Sequence, residues 1–298
     1  MANFILTAGI SGSGKSSICK EITEKHPEYL WLSSDDIRGS VFNDVNDQTH
    51  NDQVFDIMQQ RTKQALTSNH SVLYDATNLS EKYRLAILSV VKKCGARAIC
   101  LIMATPIEVC IERDAHRDRS VGKDVIWKQV TRFQCPQYYE GWDEINIISD
   151  HCIKGDILEY FLPMVEKNQN NPHHRFDLGT HCYNVFKRAV ADNLPQYAIR
   201  AALFHDIGKL FTESVDDSGI SHYLNHANVS TYFAMTHEGI FRYTVPDEVL
   251  NGLFVINNHM KIRDILRSEK AIKKYQQRWG QDKFDLMVKF VRCDDEEH

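Results

Sequence analysis

The chain has 298 residues, 43% of them hydrophobic and 25% charged, with a formal net charge of −5. Its length suggests about two domains and its composition is that of an ordinary globular protein. The acidic balance argues against a broad basic face coating duplex nucleic acid, although a local groove for one strand end stays open.

The opening MANFILTAG lacks the basic region and long apolar core of a secretory signal, and its short apolar run predicts a buried first strand over 4–8. A helix is expected from the Gly14-Lys15-Ser16 turn to Lys25. YLWLSS at 29–34 predicts a second strand, followed by a helix over 49–68 and a third strand over 72–75. Ser80 opens a further helix, with Glu81 in its first turn and amphipathic spacing to Val91. The continuous apolar run at 98–103 suits a strand buried on both faces of a parallel sheet. This alternation predicts an α/β fold, a parallel sheet with helices on both faces. Beyond residue 156 no strand alternation is expected. Helical patterns at 178–191, 196–204, 227–237, 246–257 and 283–293 predict an all-α bundle. The polar turn NQNNP lies in the changeover, and the domains are read as 1–152 and 153–298. No run of about 18 apolar residues suggests a membrane span. The eight cysteines are scattered without a CxxC pair, as expected of reduced thiols in a cytoplasmic protein.

Gly9-x-x-x-x-Gly14-Lys15-Ser16 fits the P-loop pattern between a strand and a helix. Glycines let backbone amides turn inward around phosphate oxygens, and the helix N-terminus adds partial positive charge. Gly9, Ser11, Gly12, Ser13, Gly14, Lys15, Ser16 and Ser17 are therefore the candidate site for ATP or another NTP, with Lys15 on the phosphates and Ser16 on Mg²⁺. After the second strand, Asp35 suits either a helix N-cap or a proton acceptor for an attacking hydroxyl, and Arg38 one turn on suits a phosphate. Asp75 of DATN suits a cap or a metal contact. Arg113, Arg117 and Arg119 in IERDAHRDRS suit a lid over the triphosphate or a solvated, salt-bridged helix end.

FILTAGISGSGKSS, SSDDIRGS, DATNL-x-x-x-x-R and ERDAHR, in this order, resemble the phage polynucleotide 5′-kinase family over roughly the first half of the chain. The resemblance implies that Lys15 and Ser16 bind ATP and Mg²⁺. It makes Asp35 the general base for a 5′-hydroxyl, Arg38 the contact to the acceptor phosphate and Arg117 the lid arginine, with Arg119 as its rival. In this chain the acid of DATN stands one place earlier than in the family pattern.

The second half holds His181, the pair His205-Asp206, His226, His259 and Asp294. A carboxylate between imidazoles suits one or two divalent transition metals, which polarise phosphoryl groups. Lys209, one turn beyond Asp206, is expected to neutralise phosphate charge, and Gly208 to permit a tight turn. His173, His174, His222 and His237 are read as ordinary core or surface histidines. His181, Phe204-His205-Asp206-Ile207-Gly208-Lys209 and Asp294 resemble the H…HD…D signature of the HD phosphohydrolase family. The resemblance implies that His181, His205, Asp206 and Asp294 ligate one ion and that His226 and His259 serve a second. The metal is left among Mn, Ni, Co, Fe and Zn, and Asp295 competes with Asp294.

Together the two resemblances imply a bifunctional end-healing enzyme. It would phosphorylate a polynucleotide 5′-hydroxyl and remove a 3′-phosphate or 2′,3′-cyclic phosphate. Its partners would be single-stranded or nicked RNA or DNA ends and a ligase acting downstream, without a membrane. A homo-oligomer is left open. Two other classes stand beside it: a small-metabolite or nucleoside kinase fused to a nucleotide phosphohydrolase, and a nucleotide-gated switch.

Overall fold

The computed structural model describes residues 1–44, 49–149, 151–171, 175–241 and 245–296; His173 and His174 lie outside them. The described chain divides into two compact units, Met1–Gln129 with Pro136–His151, and Val130–Cys135 with Cys152–His298.

The first unit runs β1 Asn3–Ala8, α1 Lys15–Lys25, β2 Leu30–Ser33, α2 Ser34–Phe42, α3 Asn51–Thr67, β3 Val72–Asp75, α4 Glu81–Lys93, β4 Arg97–Met103, α5 Ile107–Ala115, α6 Lys123–Val130 and β5 Glu144–Ile148. The five strands form one parallel sheet in the order β2-β3-β1-β4-β5. β1 is central, and both of its faces are covered: Phe4, Leu6 and Ala8 on one face and Thr7 on the other are fully buried. From β1 the chain runs out to β2, returns to β3 beside β1, and then crosses to β4 on the other side of β1. That reversal opens a crevice beyond the carboxyl ends of the strands, where open α/β sheets take ligands. The arginine of DATNL-x-x-x-x-R is structural. Arg84, wholly buried, donates from Nε and Nη2 to Glu140 at 2.8 and 2.7 Å, and from Nη1 to the Asn78 and Leu79 carbonyls. It thereby braces the turn after β3 against the segment before β5.

The second unit runs α7 Ile157–Phe161, α8 Leu178–Ala191, α9 Gln196–Phe204, α10 Lys209–Thr212, β6 Glu213–Val215, β7 Ser221–Tyr223, α11 His226–Thr236, α12 Pro246–Leu266, α13 Glu269–Trp279 and α14 Gln281–Asp295. Helices α8, α9, α11, α12 and α14 pack on one another around Cys182, Val185, Ala202, Phe254, Ile256 and Phe290, all buried.

Strand β5 and helix α13 have no counterpart in the sequence expectation, and three further features differ from it. A β6–β7 hairpin interrupts the helices; three-residue strands are too short to show a period-2 pattern. Its turn is set by Asp216, whose Oδ1 accepts from the Ser218 and Ile220 amides at 2.9 and 3.0 Å, and by Gly219 at φ 79°. α12 continues nine residues past Asn257, so His259 lies inside it. Val130–Cys135, read as part of the first domain, packs in the second unit: Asn228 Nδ2 donates to the Thr131 carbonyl at 2.7 Å, the Cys135 amide donates to Asn257 Oδ1 at 2.9 Å, and Phe133 meets Tyr232 edge-on. All eight cysteines are free thiols, and among the described residues no helix is long and apolar enough to cross a membrane.

Candidate active sites

The loop between β1 and α1 is drawn tight by close contacts. The Gly9 amide donates to the Thr77 carbonyl at 3.0 Å. Gly12, at φ 82°, lies so near the Cys110 carbonyl of α5 that a Cβ would collide with it, and Gly14, at φ 88°, starts α1 in the left-handed region. The Thr105 hydroxyl donates to the Ser13 carbonyl at 3.1 Å. Ser17 follows Ser16 in the first turn of α1. Lys15 Nζ donates back to the Ile10 carbonyl at 2.7 Å, and burial pushes its pKa down. Ser16 Oγ donates to Asp75 Oδ2 at 2.9 Å, so a hydroxyl from the first turn of α1 and a buried carboxylate from the end of β3 converge. That donor set fits Mg²⁺, a hard cation taking oxygen ligands.

Asp35 is not the cap of α2: Ser33 Oγ accepts from the Asp36 amide at 3.3 Å instead. Asp35 carries two cations, Arg38 Nη1 on Oδ1 at 2.9 Å and Arg119 Nη1 on Oδ2 at 3.1 Å, yet its side chain stays 57% exposed and open to an acceptor. Arg38 is buried and donates its Nη2 to Asn51 Oδ1 at 2.7 Å. Of the rival lid arginines, Arg119 therefore reaches Asp35, while Arg117 is exposed and near enough to Lys15 to disfavour its charge. The loop that carries them is shaped by buried Asp114. It accepts from the Ser120 hydroxyl and the Val121 and Gly122 amides, and these bonds hold its carboxyl below the usual range although burial opposes them. Gln129, at the end of α6, reaches the phosphate loop: its Oε1 accepts from the Ser11 amide at 2.6 Å and its Nε2 donates to Ser11 Oγ at 3.0 Å. Asp114 lies inside the ERDAHR segment but has no role in the pattern read there, and no sequence motif marks Gln129.

In the second unit the histidines and acids from four helices and one corner meet in a buried cluster. Asp206 is the centre. Its Oδ2 lies 3.6 Å from both His181 Nε2 and His205 Nε2, and its Oδ1 lies 3.0 Å from His226 Nε2 and 3.3 Å from His259 Nε2. Asp294 closes the first half, with Oδ1 3.1 Å from His181 Nε2 and 3.4 Å from His205 Nε2. Three of these rings have their other nitrogen beside a carbonyl, at Ala202, Tyr223 and Ile256, 2.7 to 2.8 Å away. A carbonyl only accepts, so Nδ1 of His205, His226 and His259 carries the proton and Nε2 points inward as a ligand atom. His226 Nε2 and His259 Nε2 then stand lone pair to lone pair at 3.1 Å. His205 Nε2 and Asp206 Oδ1 are buried without a well-formed hydrogen bond. Crowded inward-facing acceptors of this kind call for cations. Three overlapping triads satisfy metal-ligand proximity: His181-His205-Asp206, His205-His259-Asp294 and Asp206-His226-His259. The two oxygens of Asp206 facing different imidazole pairs fit a carboxylate shared by two ions.

Burial opposes charge on Asp206 and Asp294, but Lys209 and His205 hold the first, and His205, His181 and Arg263 the second, well below the usual carboxylate range. Burial likewise opposes the His205 cation, but Asp206 and Asp294 hold its pKa well above the usual value; burial pushes His259 down to about 4. The adjacent acids at 294 and 295 separate cleanly. Asp294 is buried against the rings, whereas Asp295 is exposed and takes Arg263 Nη2 at 2.7 Å. Arg263 also donates to Asp294 Oδ2 at 2.7 Å and so aims Oδ1 at the histidines. It stands one helical turn after His259, a spacing that could have been read. Lys209 is buried, with Nζ 2.7 Å from Asp206 Oδ2 and 2.8 Å from Gln169 Oε1. Of the histidines read as ordinary, His222 pairs with Asp216 at the surface and His237 stacks on Phe233.

Residues 4–136 match a family model described as an AAA domain. The amino-terminal unit has the α/β P-loop kinase fold, and the carboxy-terminal unit is helical. The chain is similar to L-seryl-tRNA(Sec) kinase of Methanococcus maripaludis, at 25% identity over 170 residues, 56% of this chain. The match spans 66% of that relative, just under two thirds of its length. Among solved structures, the Pnkp1/Rnl/Hen1 RNA repair complex aligns with a TM-score of 0.40 and 19% identity over 44% of this chain and 43% of that one. A fungal RNA kinase aligns with a TM-score of 0.38 and 14% identity over 50% and 74%.

Proposed function

We propose that the protein heals nucleic-acid ends, transferring the ATP γ-phosphate to a 5′-hydroxyl in its first unit and removing a 3′-phosphate or 2′,3′-cyclic phosphate in its second. One observation carries this reading. A single chain joins a glycine cradle backed by the Ser16–Asp75 pair to a six-ligand cluster centred on Asp206. Resemblance of the sequence motifs to polynucleotide kinases and HD phosphohydrolases supports the substrate class.

In the first unit, the loop amides and Lys15 hold the donor phosphates, and Ser16 with Asp75 holds Mg²⁺, which offsets charge on the triphosphate. Arg38 fixes Asp35 through Oδ1. Oδ2, which Arg119 now holds, is then the oxygen that takes the proton of the attacking hydroxyl. Arg38 also reaches toward the acceptor phosphate, and the 116–122 loop closes over the donor with Arg117. In the second unit, His181, His205, Asp206 and Asp294 hold one transition metal, and Asp206, His226 and His259 a second. When bound, such ions draw charge from a phosphoryl group and acidify water. The protein orients the rings through their Nδ1–H bonds, aims Asp294 through Arg263, and excludes bulk water by burying every ligand.

The relative named for L-seryl-tRNA(Sec) favours a second reading, in which the acceptor is a charged tRNA. Transfer of labelled γ-phosphate to a 5′-hydroxyl oligonucleotide and to seryl-tRNA, side by side, separates the two. On the end-healing reading the oligonucleotide is labelled, and Lys15→Ala and Asp35→Ala each lower that transfer about 100-fold or more. Labelling of seryl-tRNA alone, or unimpaired transfer by Asp35→Ala, overturns it.

A further inference from the structure

The β6–β7 hairpin and the irregular segment at 167–171 before α8 have no part in the metal cluster itself, yet they surround one of its charges. Lys209 Nζ has three protons. One goes to Asp206 Oδ2 at 2.7 Å and one to Gln169 Oε1 at 2.8 Å, and the ammonium sits 5.5 Å from the centre of the Tyr223 ring, whose face attracts a cation. Lys209 is 4% exposed and Gln169 2%. Two of its three donors are committed within the protein and the ammonium is almost shut off from solvent, which suits a fixed counter-charge on Asp206 better than a substrate contact.

The enclosure is built from several directions. Gln169 Nε2 donates to the Phe176 carbonyl, and its own carbonyl accepts from the Tyr223 hydroxyl at 2.8 Å. The segment is stitched to the hairpin by Lys167–Glu213 at 2.7 Å, by the Ser221 amide on the Asn170 carbonyl, and by Asn171 Nδ2 on the Ser221 carbonyl. The same Tyr223 gives its backbone carbonyl to His226 Nδ1 at 2.7 Å. One residue of the hairpin thus serves the neighbours of both Asp206 oxygens, the ammonium on Oδ2 and the imidazole on Oδ1.

We propose that Gln169 and Tyr223 are positioning residues of the hydrolytic site, and that they hold Lys209 as a fixed counter-charge on Asp206 rather than as a substrate contact. This rests on the hydrolytic reading of the second unit. Its consequence is that disturbing the enclosure changes how the cluster holds metal and how fast it turns over, while leaving substrate affinity alone.

The test uses the full-length protein stripped of metal. Mn²⁺ affinity is measured by titration, and kcat and KM are measured on a nitrophenyl phosphoester. Gln169→Leu, nearly isosteric but lacking the acceptor, should weaken Mn²⁺ binding or lower kcat about 10-fold. Gln169→Glu, which keeps an acceptor for the ammonium, should restore both to within about threefold. Lys209→Met should change Mn²⁺ affinity and kcat with KM within about threefold. A KM rise of about 10-fold or more in Lys209→Met with Mn²⁺ affinity unchanged makes Lys209 a phosphate contact and overturns the proposal. So does wild-type behaviour of Gln169→Leu in every readout. Failure of the wild-type protein to hydrolyse any phosphoester sinks the hydrolytic reading itself, and the Mn²⁺ titrations still decide whether Gln169 positions the cluster.

Discussion

At the scale of residues, the metal site proposed in the second unit would set a proton against a metal ion. His205 carries its Nδ1 proton to the Ala202 carbonyl in either state, so the site of competition is Nε2. Despite burial, the charges of Asp206 and Asp294 hold this ring well above its ordinary pKa, whereas burial keeps His259 neutral down to about pH 4. Without metal, the raised value stabilises the fold below the unfolded-state pKa of about 6.5, and that contribution is lost as pH rises through the folded value. Metal must displace the proton, so Mn²⁺ affinity should fall as pH is lowered from about 8 to about 6, by up to about tenfold per unit for one proton released. Titrations at the two pH values check this; equal affinities contradict it. The ligand types were legible because HD-I-G-K and the outlying histidines are chemically conspicuous. Their partners were not. Gln169, Tyr223 and Arg263 are ordinary letters whose roles come from packing. The choice of Asp294 over Asp295 needed the helix phase that buries one and exposes the other. Asp75 and Asp35 could each have been caps. Ser33 taking the α2 cap, and Ser16 taking Asp75, give each acid its own place.

At the scale of elements, the corner between α9 and α10 shows why a glycine follows the His-Asp pair. The expected reason was a tight turn that a bulkier residue would block; the φ of −60° is one any residue adopts, so the block comes from the neighbouring element and not from the backbone conformation. The real constraint is the close approach of α11. The Gly208 amide donates to Ser230 Oγ at 2.8 Å, and a Cβ here would run into the His226 carbonyl and come within 2.7 Å of the Ser230 amide. At an open right-handed helical position, Gly→Ala stabilises by about 0.5–1 kcal/mol. Gly208→Ala should instead destabilise by about 1–3 kcal/mol through overpacking, and should weaken Mn²⁺ binding by shifting His226. Denaturant unfolding gives the sign directly, and a stabilised Gly208→Ala protein refutes the account. Strong patterns such as the apolar strands of the sheet were readable because burial on both faces leaves a continuous apolar run. The β6–β7 hairpin left no such run, and α12 beyond Asn257 mixes polar ligands with core residues, which blurs its periodicity.

At the scale of the whole molecule, the chain holds two units, one with the glycine-rich loop backed by Ser16 and Asp75, the other with the buried His–Asp cluster. The change from alternating strands to helices was visible in the sequence. The excursion of Val130–Cys135 into the second unit was not, because it depends on Asn228 and Asn257, about a hundred residues downstream, catching a short segment without a motif of its own. The central claim is that these centres act on opposite ends of a broken strand and fail separately. The most direct test follows one oligonucleotide carrying a 5′-hydroxyl and a 3′-phosphate, with ATP, Mg²⁺ and Mn²⁺, and scores both ends at once. The account predicts that wild type converts both ends, that Lys15→Ala removes the 3′-phosphate without phosphorylating the 5′ end, and that Asp206→Ala does the reverse. Conversion of neither end by the wild-type protein, or loss of both reactions in either well-folded variant, would contradict it.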